Sequence, residues 1–560
     1  MPHAVASITA RRRVTTLPVL LTGLLGLLSL PHLPFNPLQP TAHAAPAFIA
    51  RDDPPPAVVI TYAAVAEGDS GTTPLPFTVK LSALSTRPIR VDYSTEDSLA
   101  KAPEDYQSAN GSLLFNPGET VKQVVVLVNG DTQPEPVESV DLRLTLLDGT
   151  AAPAVTTLHA SIWDEESPGI HFSAPSYTVG EKDGSVEIKV VRRGDASGHE
   201  AVDYATYISE HPNVALPTTD YTRASGRLDF APGETEKSFT ILVNDDAYVE
   251  EQEAIFPVIF RLTPRPGEQN IESGLVILNS DDTQPPTAAN NPVDDTQFFV
   301  RQHYHDFLNR EPDPDGFQFW TNAIEQCGAD LGCREVRRVS VSQAFFFSIE
   351  FQQISFRVFR FYRATFPDSP GHARGMPLEG EFVRDAQEIG RGVVVRQDGW
   401  QERLRQNVER FAREWVTRSE FVTQFPATLG GVQFVDKLFA NSGITPTRQE
   451  WEAALAAYGS GGTEGRAAAI LNVIDSGPVI NRQYNPAFVY TEYVGYLRRG
   501  PVAAPELNFV GFDFWLAKLD SFTLPGEDVR DEAVAIRRVE RAEMVKAFLS
   551  STEYRRRFGL

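Results

Sequence analysis

A chain of 560 residues is too long for one ordinary hydrophobic core, so it divides into several domains. Its 74 Asp and Glu outnumber 51 Lys and Arg for a formal charge of -23, and the excess is local: residues 45–290 hold 38 acids against 16 basic residues, residues 291–560 hold 36 against 32. A nucleic-acid partner is disfavoured, because a phosphate-binding surface needs a basic patch, whereas bound cations would relieve self-repulsion in the acidic half.

The chain opens with Arg11-Arg12-Arg13, an apolar run from Leu17 to Leu30 and small residues ending Ala42-His43-Ala44. This is the pattern of a secretory signal over residues 1–44, with an uncleaved anchor as the alternative. The apolar run has 14 residues, against roughly 20 for a membrane-spanning helix, so no transmembrane span is expected after cleavage. The mature protein is expected to be exported, extracellular or on the cell surface, or else periplasmic. Residues 45–57, with Pro54-Pro55-Pro56, read as a disordered lead.

From Val58 to Asp282 short β-rich runs alternate with Gly, Pro, Asn and Asp. Phe77–Leu81, Ile89–Tyr93, Val124–Val128 and Val140–Leu146 are followed by Val186–Val191, Ser238–Val243 and Ala254–Phe260. Alternating apolar residues predict half-buried antiparallel strands, and the whole predicts two tandem β-sandwiches over 58–166 and 170–282.

An acidic constellation occurs twice at a nearly constant offset. Glu67, Asp105-Tyr106, Pro117-Gly118-Glu119-Thr120, Asp131, Glu135, Glu138 and Asp164-Glu165-Glu166 are answered by Glu181, Asp220-Tyr221, Pro232-Gly233-Glu234-Thr235, Asp245-Asp246, Glu250, Glu253 and Asp281-Asp282. Asp131 and Asp246, like Glu138 and Glu253, stand 115 residues apart. A solvated surface has no reason to hold its acids in register, whereas a hard cation binding six to eight oxygens from loop carboxylates does, so calcium is the expected ligand. Glu119 and Glu234, beside Pro-Gly turns, read as turn residues instead.

Glu-Gly, the downstream Asp-Tyr, Pro-Gly-Glu-Thr, Asp-x-x-x-Glu-x-x-Glu and the terminal acidic pair together resemble the Calx-beta family. The resemblance implies immunoglobulin-like antiparallel sandwiches that bind calcium at one end. Carried over by position, it implies Glu67, Asp105, Asp131, Glu135, Glu138, Asp164 and Glu165 as ligands in the first copy. In the second it implies Glu181, Asp220, Asp245, Asp246, Glu250, Glu253, Asp281 and Asp282. Gly130 stands where the second copy has Asp245, so the first site is expected to be the weaker.

Residues 283–297 read as a linker, and the periodicity then becomes helical. Tyr304-x-x-Phe307-Leu308-x-Arg310 matches Tyr493-x-x-Tyr496-Leu497-x-Arg499, and Gly316-Phe317-Gln318-Phe319-Trp320 matches Gly511-Phe512-Asp513-Phe514-Trp515. Closing signatures recur at Ser348-Ile349-Glu350-Phe351, Ser419-Glu420-Phe421 and Ser551-Thr552-Glu553-Tyr554. An all-α domain over 298–425 and degenerate repeats of similar type over 426–560 are expected. Residues 298–351 look like the uncharacterised bacterial domain-of-unknown-function family 4214, which brings no activity with it.

The two cysteines, Cys327 and Cys333, are expected to form a short-loop disulfide; a metal site would need further ligands, for which only His303 and His305 are near. Glu311-Pro312-Asp313-Pro314-Asp315-Gly316 resembles the start of an EF-hand loop, but Asn322 occupies the twelfth position, so helix capping is expected. The phenylalanines from Phe345 to Phe361 are expected in a core. No phosphate loop, His-Glu-x-x-His or Gly-x-Ser-x-Gly elbow is present. The expectation is a non-enzymatic, calcium-binding structural or interaction protein whose helical region contacts a protein or surface polymer, in adhesion or cell communication. The alternatives are a hydrolase with its site in the helical half and a scaffold that binds no calcium.

Overall fold

The computed structural model describes residues 56–560, apart from 60, 148–153, 210–212, 218, 262–270, 288–289, 370, 525 and 530. The expected signal segment and all but the last two residues of the expected lead lie outside the described residues. Nine strands form the first sandwich: β1 Val58–Val59, β2 Ala63–Ala66, β3 Gly71–Leu81, β4 Ile89–Asp97, β5 Tyr106–Gln107, β6 Asn110–Phe115, β7 Val121–Gly130, β8 Glu138–Leu147 and β9 Ala154–Trp163. They pair as β1-β3-β7-β5 and β2-β9-β8-β4-β6, antiparallel except where β2 runs parallel to β9. Period-two alternation builds the core: Val124, Val126 and Val128 of β7 point inward against Val140, Leu142, Leu144 and Leu146 of β8, while Val125 and Leu127 face out.

The second sandwich repeats this plan with β10 Gly169–Phe172, β11 Tyr177–Gly180, β12 Ser185–Arg193, β13 Glu200–Tyr207, β14 Tyr221–Thr222, β15 Ser225–Phe230, β16 Glu236–Val243, β17 Glu253–Phe260, β18 Ile271–Ser273 and β19 Val276–Asn279. Its orders, β10-β12-β16-β14 and β11-β19-β17-β13-β15, copy the first strand for strand, again with one parallel pair, β11 on β19, and with β18 added beside β17. Trp163 at the end of β9 is buried in the second sandwich's core, its ring edge-on to Phe172 at 6.1 Å, so the last strand of one module anchors the next.

Helices begin at α1 (Thr296–His303), followed by α2 (Pro314–Glu325) and α3 (Leu331–Phe347). Asp295 and Asp313 cap α1 and α2 by accepting from Phe298 N and Gly316 N, so Asp313 is a helix cap, as its place before Pro314 predicts. The matching motifs at the two ends of the helical half build one device. Arg310 donates to both oxygens of Glu350 at 2.8 and 3.1 Å, and Arg499 to both oxygens of Glu553 at 2.6 and 3.0 Å. Each guanidinium also lies over its own tyrosine, Tyr304 or Tyr493, and a Cβ on Gly316 or Gly511 would meet that tyrosine's hydroxyl at 2.2 or 2.5 Å.

The boundary expected at 425/426 does not separate two cores. One apolar cluster runs from Val293 to Phe558, because the sequence-distant copies pack on each other: Phe307 meets Tyr496 at 5.1 Å, and Phe345, Phe346 and Phe351 join them. Cys327 and Cys333 are joined at the start of α3. Nor is 283–297 wholly a free linker, since Asn291 and Val293 are buried and Asn291 Nδ2 donates to Arg555 O at 3.0 Å. Among the described residues no helix is long and apolar enough to cross a membrane. The Trp163→Ala chain should lose about 3–5 kcal/mol of unfolding free energy, as large core truncations do, read by urea denaturation of the β-sheet signal.

Candidate metal centre

Each constellation is assembled by a duplicated backbone scaffold at one end of its sandwich. Asp105 Oδ2 accepts Lys101 N at 2.6 Å and Asp220 Oδ2 accepts Leu216 N at 2.5 Å, closing the turn before the buried Tyr106 or Tyr221. Asn129 and Asn244, at the end of β7 and just past β16, each donate their backbone amide to the carbonyl of that aspartate at 2.9 Å. Their side-chain amides donate at 2.7 Å to Pro103 O and Thr219 O. Sequence reading missed these asparagines as positioning residues, although they share the 115-residue offset. Glu138 and Glu253 open β8 and β17, Glu67 and Glu181 follow β2 and β11, and Asp164 follows β9 directly. Four loops therefore deliver acids to each rim.

Within each group that follows, ligating oxygens lie within 4.8 Å of one another. The first rim brings together Glu67, Asp164 and Glu166; Asp69, Glu165 and Glu166; and Asp105, Glu135 and Glu138. The second brings together Glu181, Asp245, Asp281 and Asp282, and separately Asp220, Glu250 and Glu253. Asp246, buried, stands between the two second-rim groups, one oxygen accepting Tyr248 N at 2.7 Å. Asp131 joins none of them; it is exposed and accepts Gln133 N at 2.6 Å. Asp69 and Glu166 were not among the expected ligands; Asp69 lies two residues beyond Glu67, and that spacing was the available signal. Glu119 and Glu234 instead accept the amides of Asn116 and Ala231, capping their turns as expected.

Gly130 is explained by close approach: a Cβ there would meet Gly68 O at 2.0 Å. The backbone of the Glu67–Asp69 segment fills the space an aspartate side chain would need. Asp69 and Glu166 offset the missing carboxylate, so acid number does not rank the two rims.

Seven rim carboxylates carry a buried oxygen with no hydrogen-bond partner: Glu67 Oε1, Glu165 Oε2, Glu166 Oε2, Glu181 Oε2, Asp245 Oδ1, Glu253 Oε2 and Asp282 Oδ2. Among the described residues the only other carboxylate left this way is Glu492, in the helical core. Burying an unpaired carboxylate is costly, so these oxygens are built for a partner that protein atoms do not supply. An all-oxygen, loop-borne donor set fits a hard divalent cation. At the exposed mouth of the second rim Lys182 pairs with Asp281, side chains 64% and 44% exposed; such a surface pair contributes under about 1 kcal/mol and leaves the buried oxygens unpaired.

Crowding shows in the acidities. Burial, reinforced by Asp246, Glu250, Asp245 and Asp282, pushes Glu181 up to about 9. Burial and the carboxylates of Glu250, Asp220 and Asp282 push Asp246 up to about 8 against the bond from Tyr248 N. Burial, then Asp220, raises Glu253 to about 9, and burial with Glu135, Asp131, Asp164 and Glu165 raises Glu67 to about 8. Asp164 is the exception: burial pushes it up, but donors from Ser167 Oγ and the Glu135 and Glu166 amides outweigh this and hold it low.

Residues 61–163 and 164–281 each match the Calx-beta domain family. The chain carries two tandem Calx-beta domains. Among curated proteins it is similar to sodium/calcium exchanger 1 of Rattus norvegicus, 28% identical over 190 residues, covering 30% of this chain and 19% of that one. It is likewise similar to sodium/calcium exchanger 2 of Homo sapiens, 31% identical over 185 residues, covering 30% and 20%. The chain thus spans about one-fifth of the length of these relatives. Among solved structures, CBD12 from CALX1.2 matches at 26% identity over 36% of this chain and 79% of that one with a TM-score of 0.18. The apo-form Calx CBD1 domain matches at 35% identity over 20% and 96%, also with a TM-score of 0.18. All of these matches leave most of the helical half outside the Calx-beta assignment.

The raised pKa values of the rim carboxyls fix a pH dependence. Unfolded carboxyl groups titrate near 4.3 and the folded rim groups up to about 9, so between these values the folded state binds more protons and stability falls as pH rises. In chelator the melting temperature should drop from pH 5 to pH 9. Added calcium, which replaces those protons, should raise it most at the alkaline end; a calcium increment that shrinks with pH would contradict the assignment.

Proposed function

We propose that both Calx-beta rims bind calcium and that the ions stiffen the tandem sandwiches in an exported, non-enzymatic protein. The observation that carries the reading is the concentration of partnerless buried carboxylate oxygens at the two rims, in the loops that the Calx-beta match spans. Calcium supplies the positive charge these oxygens lack, and because the unfolded chain disperses the acids, the ion binds the folded state preferentially. Such binding stabilises by about 2.7 kcal/mol when the free ion is at 100 times its dissociation constant.

Export rests on the signal pattern of residues 1–44 and places the rims where calcium is plentiful. The expected role of the helical half is contact with a protein or surface polymer, in adhesion or cell communication, and its amino-terminal part retains its resemblance to the bacterial family 4214. One of its buried charges, Asp385, is internally paired, accepting from Tyr362 Oη and from both terminal nitrogens of Arg418 at 2.9–3.0 Å.

The test is a pair of conservative substitutions in the full chain, Glu181→Gln and Asp246→Asn. An amide that needs no proton to be buried should raise the melting temperature by several degrees in chelator and, lacking the ligand charge, cut the calcium-induced increment by at least half. A parent chain whose calorimetric melting is the same in calcium and in chelator would refute the reading.

A further inference from the structure

The second rim faces the helical half. A cavity of about 560 Å³ separates them, lined by Glu181, Asp245 and Asp282 on the sandwich side and by Phe298, Arg301 and Gln302 on the other. The loop from Asn244 to Tyr248, which carries Asp245 and Asp246, is held across this boundary at both its ends. Ala247 N donates to Phe558 O at 2.9 Å, and Tyr248 Oη donates to Arg556 O at 3.0 Å and to Gly559 O at 3.3 Å.

At the start of the loop, Gln302 of α1 donates to Asn244 Oδ1 at 3.2 Å and to Asp306 Oδ1 at 2.9 Å. Asp306 accepts both terminal nitrogens of Arg557 at 2.9 Å, and Arg498 beside it donates to Thr222 Oγ1 at 2.6 Å. Asn244, Gln302, Asp306, Arg498 and Arg557 are all buried, none above 6% exposed. Arg301 completes the contact by donating to the carbonyls of Lys182 and Asp183, the two residues after Glu181. The first rim meets different chemistry, Arg193 of β12 donating to Asp164 O at 3.3 Å.

We propose that cation occupancy of the second rim and docking of the helical half onto it are coupled through the Asn244–Tyr248 loop, with Gln302 and Tyr248 as positioning residues. The inference rests on the cation reading of that rim. Without the ion, repulsion among buried carboxylates opposes the loop geometry that presents Ala247 N, Tyr248 Oη and Asn244 Oδ1 to the helical half. With it, the loop is fixed, and Asn244 Oδ1 stays within reach of Gln302, whose second donation leads to Asp306 and Arg557. Linkage makes the effect reciprocal: docking must tighten cation binding by the factor by which the cation tightens docking.

The experiment uses the full chain with calcium as the probe, in calcium and in chelator. By hydrogen exchange, peptides over 296–306 and 552–560 should be at least about fivefold better protected in calcium, within the span of coupled sites. Asp246→Asn should abolish this difference, whereas Glu67→Gln, confined to the first rim, should leave it. Tyr248→Phe removes the hydroxyl donations without touching a carboxylate, and calorimetry should show its second-rim calcium affinity weakened about fivefold. Gln302→Leu should act in the same sense; should it not fold, Tyr248→Phe decides. Calcium heat that depends on Asp246 but leaves exchange unchanged and Tyr248→Phe at parental affinity would overturn the coupling alone. Equal calcium heat from the parent and from Asp246→Asn would remove the cation reading of this rim, and the coupling with it.

Discussion

Burying Glu181, Asp220 and Asp246 together at one rim sets carboxylates against each other where little water screens them. The sandwich does not resolve that repulsion with its own side chains: the Lys182–Asp281 pair lies at the mouth, and Glu181 Oε2, Asp245 Oδ1, Glu253 Oε2 and Asp282 Oδ2 keep no donor. What holds the rim in place is the remainder of the fold. Paired strands bring four loops to one end, and the duplicated bonds of Asp220 and Asn244 spend backbone donors on turn geometry while Glu253 Oε2 stays unpaired. A scaffold that fixes ligands before the ion arrives lowers the ordering cost of binding.

The helical half handles buried charge in the opposite way. The buried Glu350, Asp385 and Asp306, like the half-buried Glu553, each accept two nitrogens of one arginine, and Asp385 has additional help from Arg384 and Tyr362. Within the second sandwich itself Glu200 lies between Arg192 and Arg261, so an internally neutralised acid is available to this fold too. The rims are therefore not a by-product of an acidic composition. Buried acids such as Glu200, Glu350, Asp385 and Asp306 are paired with arginine, and, Glu492 apart, the described carboxylates that keep a partnerless buried oxygen gather at the sandwich ends.

Strand pairing and the paired modules were legible because alternation and turn residues act locally, and the register of acids survived the drift of the residues between them. Asp105, Glu135 and Glu138 meet, as do Asp220, Glu250 and Glu253, in keeping with that register. Asp131 was misleading because a loop acid can satisfy itself on a nearby amide, here Gln133 N. Asp69 and Glu166 escaped notice because their importance follows from the room that Gly130 concedes to the Gly68 backbone, a contact over 60 residues in sequence that no local pattern encodes. The single helical core was hidden for a similar reason: the copies at Tyr304 and Tyr493 look like separate repeats in sequence, yet Phe307 and Tyr496 pack directly on each other.

Placement along the chain gives the two rims different consequences. The first lies beside Trp163 and Asp164, where one sandwich is anchored in the next; the second lies against α1 and the Arg555–Gly559 segment. Each cluster of unpaired carboxylates thus sits where its module meets its successor, so neutralising it acts on a junction as well as on a loop. The junctions differ in polarity. At the first, Trp163 packs edge-on against Phe172, an apolar contact that needs no donor or acceptor. The second depends on hydrogen bonds through Asn244, Gln302 and Tyr248, which need donor and acceptor within a few tenths of an ångström of their places. Repulsion that displaces the Asp245–Asp246 loop by that much would break the second junction, whereas an apolar ring contact like that at the first tolerates it.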